Sequence, residues 1–133
     1  MTVEIPAFRS RVFLCGADMQ PSRIRARWPK ARFVSLAQAD GVIAAGLGLG
    51  WYGLGPEVWG IIVETGEPQE GTMLPLWLPD GSAVTAMAVG DRAEFGTLPS
   101  ALAQAHYWEL SAAYRERLQE AIITRPSAVQ GHG

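Results

Sequence analysis

A short apolar run opens the chain, a glycine-punctuated middle follows it, and the last third changes to a helical period. Val12, Phe13, Leu14 and Cys15 are consecutive apolar residues, and Gly16, Ala17, Asp18 and Met19 break the run. Such a run stopped by glycine predicts a buried strand ending in a turn. A turn of this kind that opens into a helix presents successive main-chain N–H groups and so makes a small anion pocket. Residues 16–19 are therefore the expected floor of an active site.

Residues 21–28 predict a short helix, with Asp18 as its expected cap, Pro21 near its first turn and Pro29 as its stop. Arg23, Arg25 and Arg27 spread around such a helix and read as a solvated basic face, a substrate-carboxylate clamp being the alternative. Phe33, Val34, Leu36, Val42 and Ile43 predict two strands around residues 39–41. Gly48, Gly50 and Gly53 then match the spacing of a dinucleotide-binding fingerprint. Gly55, Pro56 and a strand follow them where that motif needs a helix, so the nucleotide reading is rejected. A loop is expected instead, with Trp51 and Tyr52 walling a pocket or covering the core.

Residues 58–63 predict a strand in which Gly60 marks a bulge or the close approach of another backbone. The next stretch is acidic, with Glu64, Glu67 and Glu70. Residues 72–78 and 82–89 flank Pro79, Asp80 and Gly81, a hairpin signal, and Pro75 places the first arm at an edge or a bulge. Leu98 and Leu102 fit one helix, with Pro99 in its first turn. Tyr107, Leu110, Tyr114, Leu118 and Ile122 recur at helical spacing, and Ser111 is placed to cap a second helix. The expected fold class is α+β: a small mixed β-barrel of about six strands with helices packed against it. Residues 1–123 form the single domain and residues 124–133, including His132, a flexible tail.

Composition narrows the function classes. The chain has 133 residues, 48% hydrophobic and 18% charged, which suits one domain. A net charge of −2 argues against a nucleic-acid partner, because a phosphate-binding face needs clustered excess Lys and Arg. The single cysteine, Cys15, cannot form an internal disulfide, and within its apolar run it reads as a small buried hydrophobe before it reads as a nucleophile. No signal core or span of transmembrane length is evident, so a soluble, cytoplasmic protein without a membrane partner is expected. His106, beside Tyr107 and Trp108, reads as a surface residue or one behind the site.

Four anchors in order resemble the gamma-glutamylcyclotransferase-like family. The strand and turn Val12-Phe13-Leu14-Cys15-Gly16-Ala17-Asp18-Met19 stand where the family has a strand leading into Tyr-Gly-Ser/Thr-Asn/Leu. Arg23-Ile24-Arg25-Ala26-Arg27-Trp28-Pro29-Lys30-Ala31 is similar to its Arg-Ile-x-x-Arg-x-Pro-x-Ala. Gly55-Pro56-Glu57-Val58-Trp59-Gly60-Ile61-Ile62 resembles its Gly-x-x-Val-Trp-Gly-Val-Val strand, and Glu67-Pro68-Gln69-Glu70-Gly71 its Asp-x-x-Glu-Gly. Residues 110–122 are similar to its terminal Gly-Leu-Pro-x-x-Tyr-x-x-x-Leu helix.

The resemblance implies a barrel enzyme that cyclises a small γ-glutamyl amine or γ-glutamyl amino acid to 5-oxoproline and releases the free amine, with neither metal nor organic cofactor. It implies that Glu70 is the acid/base, and that the main chain of Cys15, Gly16, Ala17 and Asp18 binds the substrate. Cys15 and Ala17 depart from the family's Tyr and Ser/Thr, and only Glu64, Thr65 and Gly66 separate the preceding strand from Glu67. Asp18, Glu64 and Glu67 are accordingly rival carboxylates. The alternative function is a catalytically silent barrel that binds a small molecule or scaffolds a partner.

Overall fold

Strand β1 (Arg11–Leu14) is buried on both of its faces: Val12 and Leu14 join one apolar cluster, and Phe13, with Cys15 just beyond the strand, joins another. Two-sided burial explains why this stretch reads as a continuous apolar run and not as an alternation. The structure, a computed structural model, describes residues 10–41, 43, 57–88 and 98–124. Among them β1 pairs antiparallel with β3 (Glu57–Glu64) and parallel with β5 (Ala83–Ala88). With β2 (Arg32–Asp40) and β4 (Thr72–Trp77), the order β1-β3-β2-β4-β5 closes into a mixed barrel.

Five strands stand where about six were expected among the described residues. The first of the two strands expected around 39–41 continues through that break to Asp40, because β3 runs alongside it, with Ala39 opposite Val58 and Asp40 opposite Glu57; of the stretch expected to form the second, residues 42, 44 and 45 lie outside the described residues. Gly41 and Ile43 are helical, and the Ile43 N–H donates to the Asp40 carboxylate at 3.1 Å. The register slips once between Phe33 and Ser35, which lets β2 bend around the barrel. The predicted hairpin is present, its turn held by the Ser82 N–H donating to the Asp80 carboxylate at 2.8 Å. Pro75 sits where the β2–β4 ladder has ended at Ala39 opposite Leu76, so its missing N–H interrupts nothing there.

Phe13, Ile62, Leu74 and Leu76 fill the barrel together with the small residues Ala37 and Ala86. A barrel of so few strands is narrower than the eight-stranded kind that just admits side chains, so any ligand site belongs at an end or on the outside. Gly60 is the predicted close approach: a methyl there would overlap the main-chain oxygen of Leu14 and come within 2.9 Å of the Phe13 ring.

Three helices cover the outer face of β1 and β3: α1 (Pro21–Arg27), α2 (Leu98–Tyr107) and α3 (Ala112–Thr124). They bury Ile24, Ala101, Ala105 and Leu118 against Val12, Leu14, Ile61 and Val63. The Trp108 indole N–H donates to the Met19 carbonyl at 2.9 Å and ties the end of α2 to the turn after β1. Ser111 stands before α3 as expected, its hydroxyl accepting from the Tyr114 N–H at 3.5 Å. Residues 46–55 with Trp51 and Tyr52, and residues 125–133 with His132, lie outside the described residues.

Candidate functional site

The turn after β1 forms because Gly16 takes φ of 63°, a left-handed conformation open to glycine and strained for most side chains. Cys15 remains extended, and residues Gly16–Met19 make one 3₁₀ turn. The first N–H groups of such a turn have no partner within it. Asp18 is not the cap of α1 that its position suggested. Gln20 occupies that position, with no side-chain cap, and the Asp18 carboxylate instead lies 3.6 Å from the Arg23 guanidinium. A helix opened by Pro21 has one N–H fewer to cap, which weakens the demand for a capping side chain.

Leu14 pairs with Ile61, so the chain leaves β1 at the end of the barrel where Asp40 and Glu57 face each other. Two side chains of α3 reach this end. Arg117 forms an ion pair with Glu57, and its guanidinium lies 5.7 Å from the centroid of the Tyr114 ring. Tyr114 is buried, and its phenol is pushed up first by that burial and then by the neighbouring Cys15. Tyr114, Arg117 and Glu57 thus form one cluster. The sequence offered no signal for the ion pair, because its partners are 60 positions apart.

The Cys15 thiol is pushed up to about 12, by burial first and by Asp18 second. Only the thiolate is a nucleophile, so this sulfur is inert at neutral pH. We therefore expect the folded protein to resist a disulfide-exchange reagent at pH 8, and the protein unfolded in guanidinium to react with one equivalent per chain. Stoichiometric labelling of the folded form within minutes would mean that the turn opens.

Glu70 is exposed in the segment leading into β4. Thr72, two residues on, is level with Ala88 of β5, and Ala88 is level with Phe13 of β1, so a single strand separates the start of β4 from β1. Of the rival carboxylates, only Asp18 is at the turn. Glu64 is at the other end of β1, where Arg32 at 2.7 Å and Arg11 at 3.6 Å hold it; the Arg32 hydrogen bond chiefly keeps its carboxyl below the usual range. Glu67 is exposed, and its main-chain oxygen accepts from the Thr65 hydroxyl at 2.7 Å. Glu57 is a further half-buried carboxylate at the turn's end of the barrel.

Beside the turn lies a hollow of about 450 Å³ lined by Ala17, Gln20, Arg23, Ser100, Ala103 and Gln104. It takes in one of the expected substrate-binding residues, Ala17; Cys15, Gly16, Asp18 and Glu70 do not line it. Arg23, Arg25 and Arg27 are all exposed, as a solvated basic face requires, and Arg23 also lines this hollow.

No family model, curated protein or solved structure matches this chain. Among the described residues, no three of His, Cys, Asp and Glu are grouped to hold a metal ion, and no helix is long and apolar enough to cross a membrane. His106 is exposed, its Nδ1 lying 3.4 Å from the Arg115 guanidinium.

Proposed function

We propose that this chain is a gamma-glutamylcyclotransferase-like enzyme that converts a small γ-glutamyl compound to 5-oxoproline and the free amine. The observation that carries this reading is the meeting of the first and last sequence anchors. Val12, Leu14 and Met19 of the first anchor pack in one apolar cluster with Leu110, Tyr114 and Leu118 of the last, about 100 positions away. The positive φ of Gly16 also supports it, since a turn of this shape lets a ligand approach the main chain closely.

In this reading the substrate's α-amino nitrogen attacks its own γ-carbonyl carbon. A ring C–N bond forms as the bond to the departing amine breaks. The attacking nitrogen gives up a proton and the departing nitrogen gains one, and Glu70 carries that proton between them. The main-chain donors of Cys15, Gly16, Ala17 and Asp18 hold the substrate carboxylate or the oxyanion that develops on the carbonyl. Folding the flexible substrate into its ring-closing shape supplies the remaining acceleration.

The exposure of Glu70 favours a second reading, a barrel that binds a γ-glutamyl compound without turning it over. The two are separated by incubating the protein with a panel of γ-glutamyl amino acids and γ-glutamyl amines and measuring 5-oxoproline. Release proportional to enzyme concentration is the expected result. Saturable binding of panel members with no 5-oxoproline would leave the binding barrel.

A further inference from the structure

The net charge of −2 averages over a marked segregation along the chain. Five of the 11 Lys and Arg residues stand between Arg23 and Arg32 inclusive, and no Asp or Glu stands between Asp18 and Asp40. Asp18 and Glu64 reach two of these five, Arg23 and Arg32. Arg25, Arg27 and Lys30 are exposed, and among the described residues none of the three pairs with an acid. The same segment leads into an aromatic group. Phe33 stacks on Trp108, their ring centroids 5.0 Å apart and their planes 14° from parallel, and Tyr107 meets Trp108 edge-on at 5.1 Å. Trp108 covers one face of the Phe33 ring, yet Phe33 is 49% exposed and Tyr107 63%. The Arg27 guanidinium lies 4.6 Å from the centroid of the Trp28 ring, and Trp28 and Trp108 pack in one apolar cluster, which brings Arg27 to the same side of the barrel as the rings.

We propose that this surface binds single-stranded nucleic acid, with bases stacked on Phe33 and phosphates held by Arg25, Arg27 and Lys30. A parallel ring pair with an open outer face is extended by one more flat ring, and every base has such a face. Clustered cations without acid partners beside it are what a phosphate chain requires. A duplex keeps its bases stacked inside, so it offers phosphates without faces. An anionic membrane calls for apolar side chains that project into it, whereas the Phe33 ring lies along its neighbour. None of these residues takes part in the cyclisation, so binding and turnover are tested apart.

Fluorescence anisotropy of fluorescein-labelled single strands of about 12 nucleotides, RNA and DNA, measures the binding. At about 50 mM salt the full chain should bind with a Kd of about 10 µM or tighter, and log Kd should rise with log salt at a slope of about 2, three phosphates at about 0.7 each. Arg25→Gln and Lys30→Gln should each weaken binding and lower that slope by about 0.7. Phe33→Leu, which keeps an apolar contact with Trp108 but removes the flat face, should weaken binding about tenfold, and Phe33→Tyr should retain it. Glu109→Gln, which removes an exposed acid next to Trp108, should tighten it. Absence of binding at about 100 µM protein would overturn the proposal. So would unchanged affinity in the folded Phe33→Leu variant, or a duplex of the same sequence binding as tightly as the single strand. Equal competition by phosphatidylserine vesicles or by poly-L-glutamate would overturn it too, in favour of a membrane or an acidic protein partner.

Discussion

Gly60→Ala should unfold the barrel or lower its stability by about 3 kcal/mol or more, more than overpacking a side-chain core usually costs. The added methyl would overlap the main-chain oxygen of Leu14, and the Phe13 ring stands 2.9 Å away on the same side. A side chain can turn aside, but a strand oxygen cannot. Moving it would part β1 from β3, where Leu14 and Ile61 are level, and would disturb Phe13, which is fully buried inside the barrel. The cost is steric and does not come from the left-handed conformation, so Ala is as serious here as Ser. Urea denaturation followed by tryptophan fluorescence would measure it, with Thr85→Ala on the exposed face of β5 as the comparison. A Gly60→Ala midpoint equal to that of the comparison would show that β1 and β3 are farther apart than described.

Glu70→Gln should reduce 5-oxoproline release by about 10² to 10⁴-fold, the usual worth of a positioned acid/base, and leave stability unchanged within about 0.5 kcal/mol because the side chain is exposed. The amide keeps the shape of the carboxylate and removes its ability to carry a proton. Glu64→Gln and Glu67→Gln are the controls: the first carboxylate is engaged by Arg11 and Arg32, and the second is exposed on the bend. Both should retain activity within a few-fold. Turnover that survives Glu70→Gln and falls in Glu57→Gln or Asp18→Asn would move the proton carrier to the end of the barrel where Gly16 lies. That outcome would keep the reaction and replace its catalyst.

The parts of this fold that were legible in the sequence are those fixed by short-range sterics. The apolar run from Val12 to Leu14 is a strand, Gly60 is where two backbones nearly touch, and Asp80 and Gly81 turn a hairpin. Ser111 begins the last helix. Apart from Gly60, whose partner Leu14 is distant in sequence but whose missing side chain is itself the signal, each depends on a residue's own backbone preferences or on neighbours within a few positions. The differences arise where a partner outside the local rule competes with it. The strand expected to stop before residues 39–41 runs on to Asp40, because β3 pairs along the whole of it, and that pairing is not visible in its own pattern. Asp18 was assigned to a cap because capping is a local rule, and its pairing with Arg23 across the start of α1 took precedence. Candidate chemistry was legible as a set of acids but not as a placement: Asp18 is at one end of the barrel, joined there by Glu57, which the sequence did not single out, Glu64 is at the other, and Glu70 is in the open.

By itself the sequence determined that one small apolar domain would combine short strands with a helical last third, because alternation and the 3.6-residue period follow from backbone geometry alone. Tertiary structure decided the strand order β1-β3-β2-β4-β5, the packing of Tyr114 against the first strand and the pairing of Arg117 with Glu57. Strand pairing and the choice of ionic partners minimise the free energy of the whole chain. Many pairings satisfy the same local pattern, and only the packed core selects one of them.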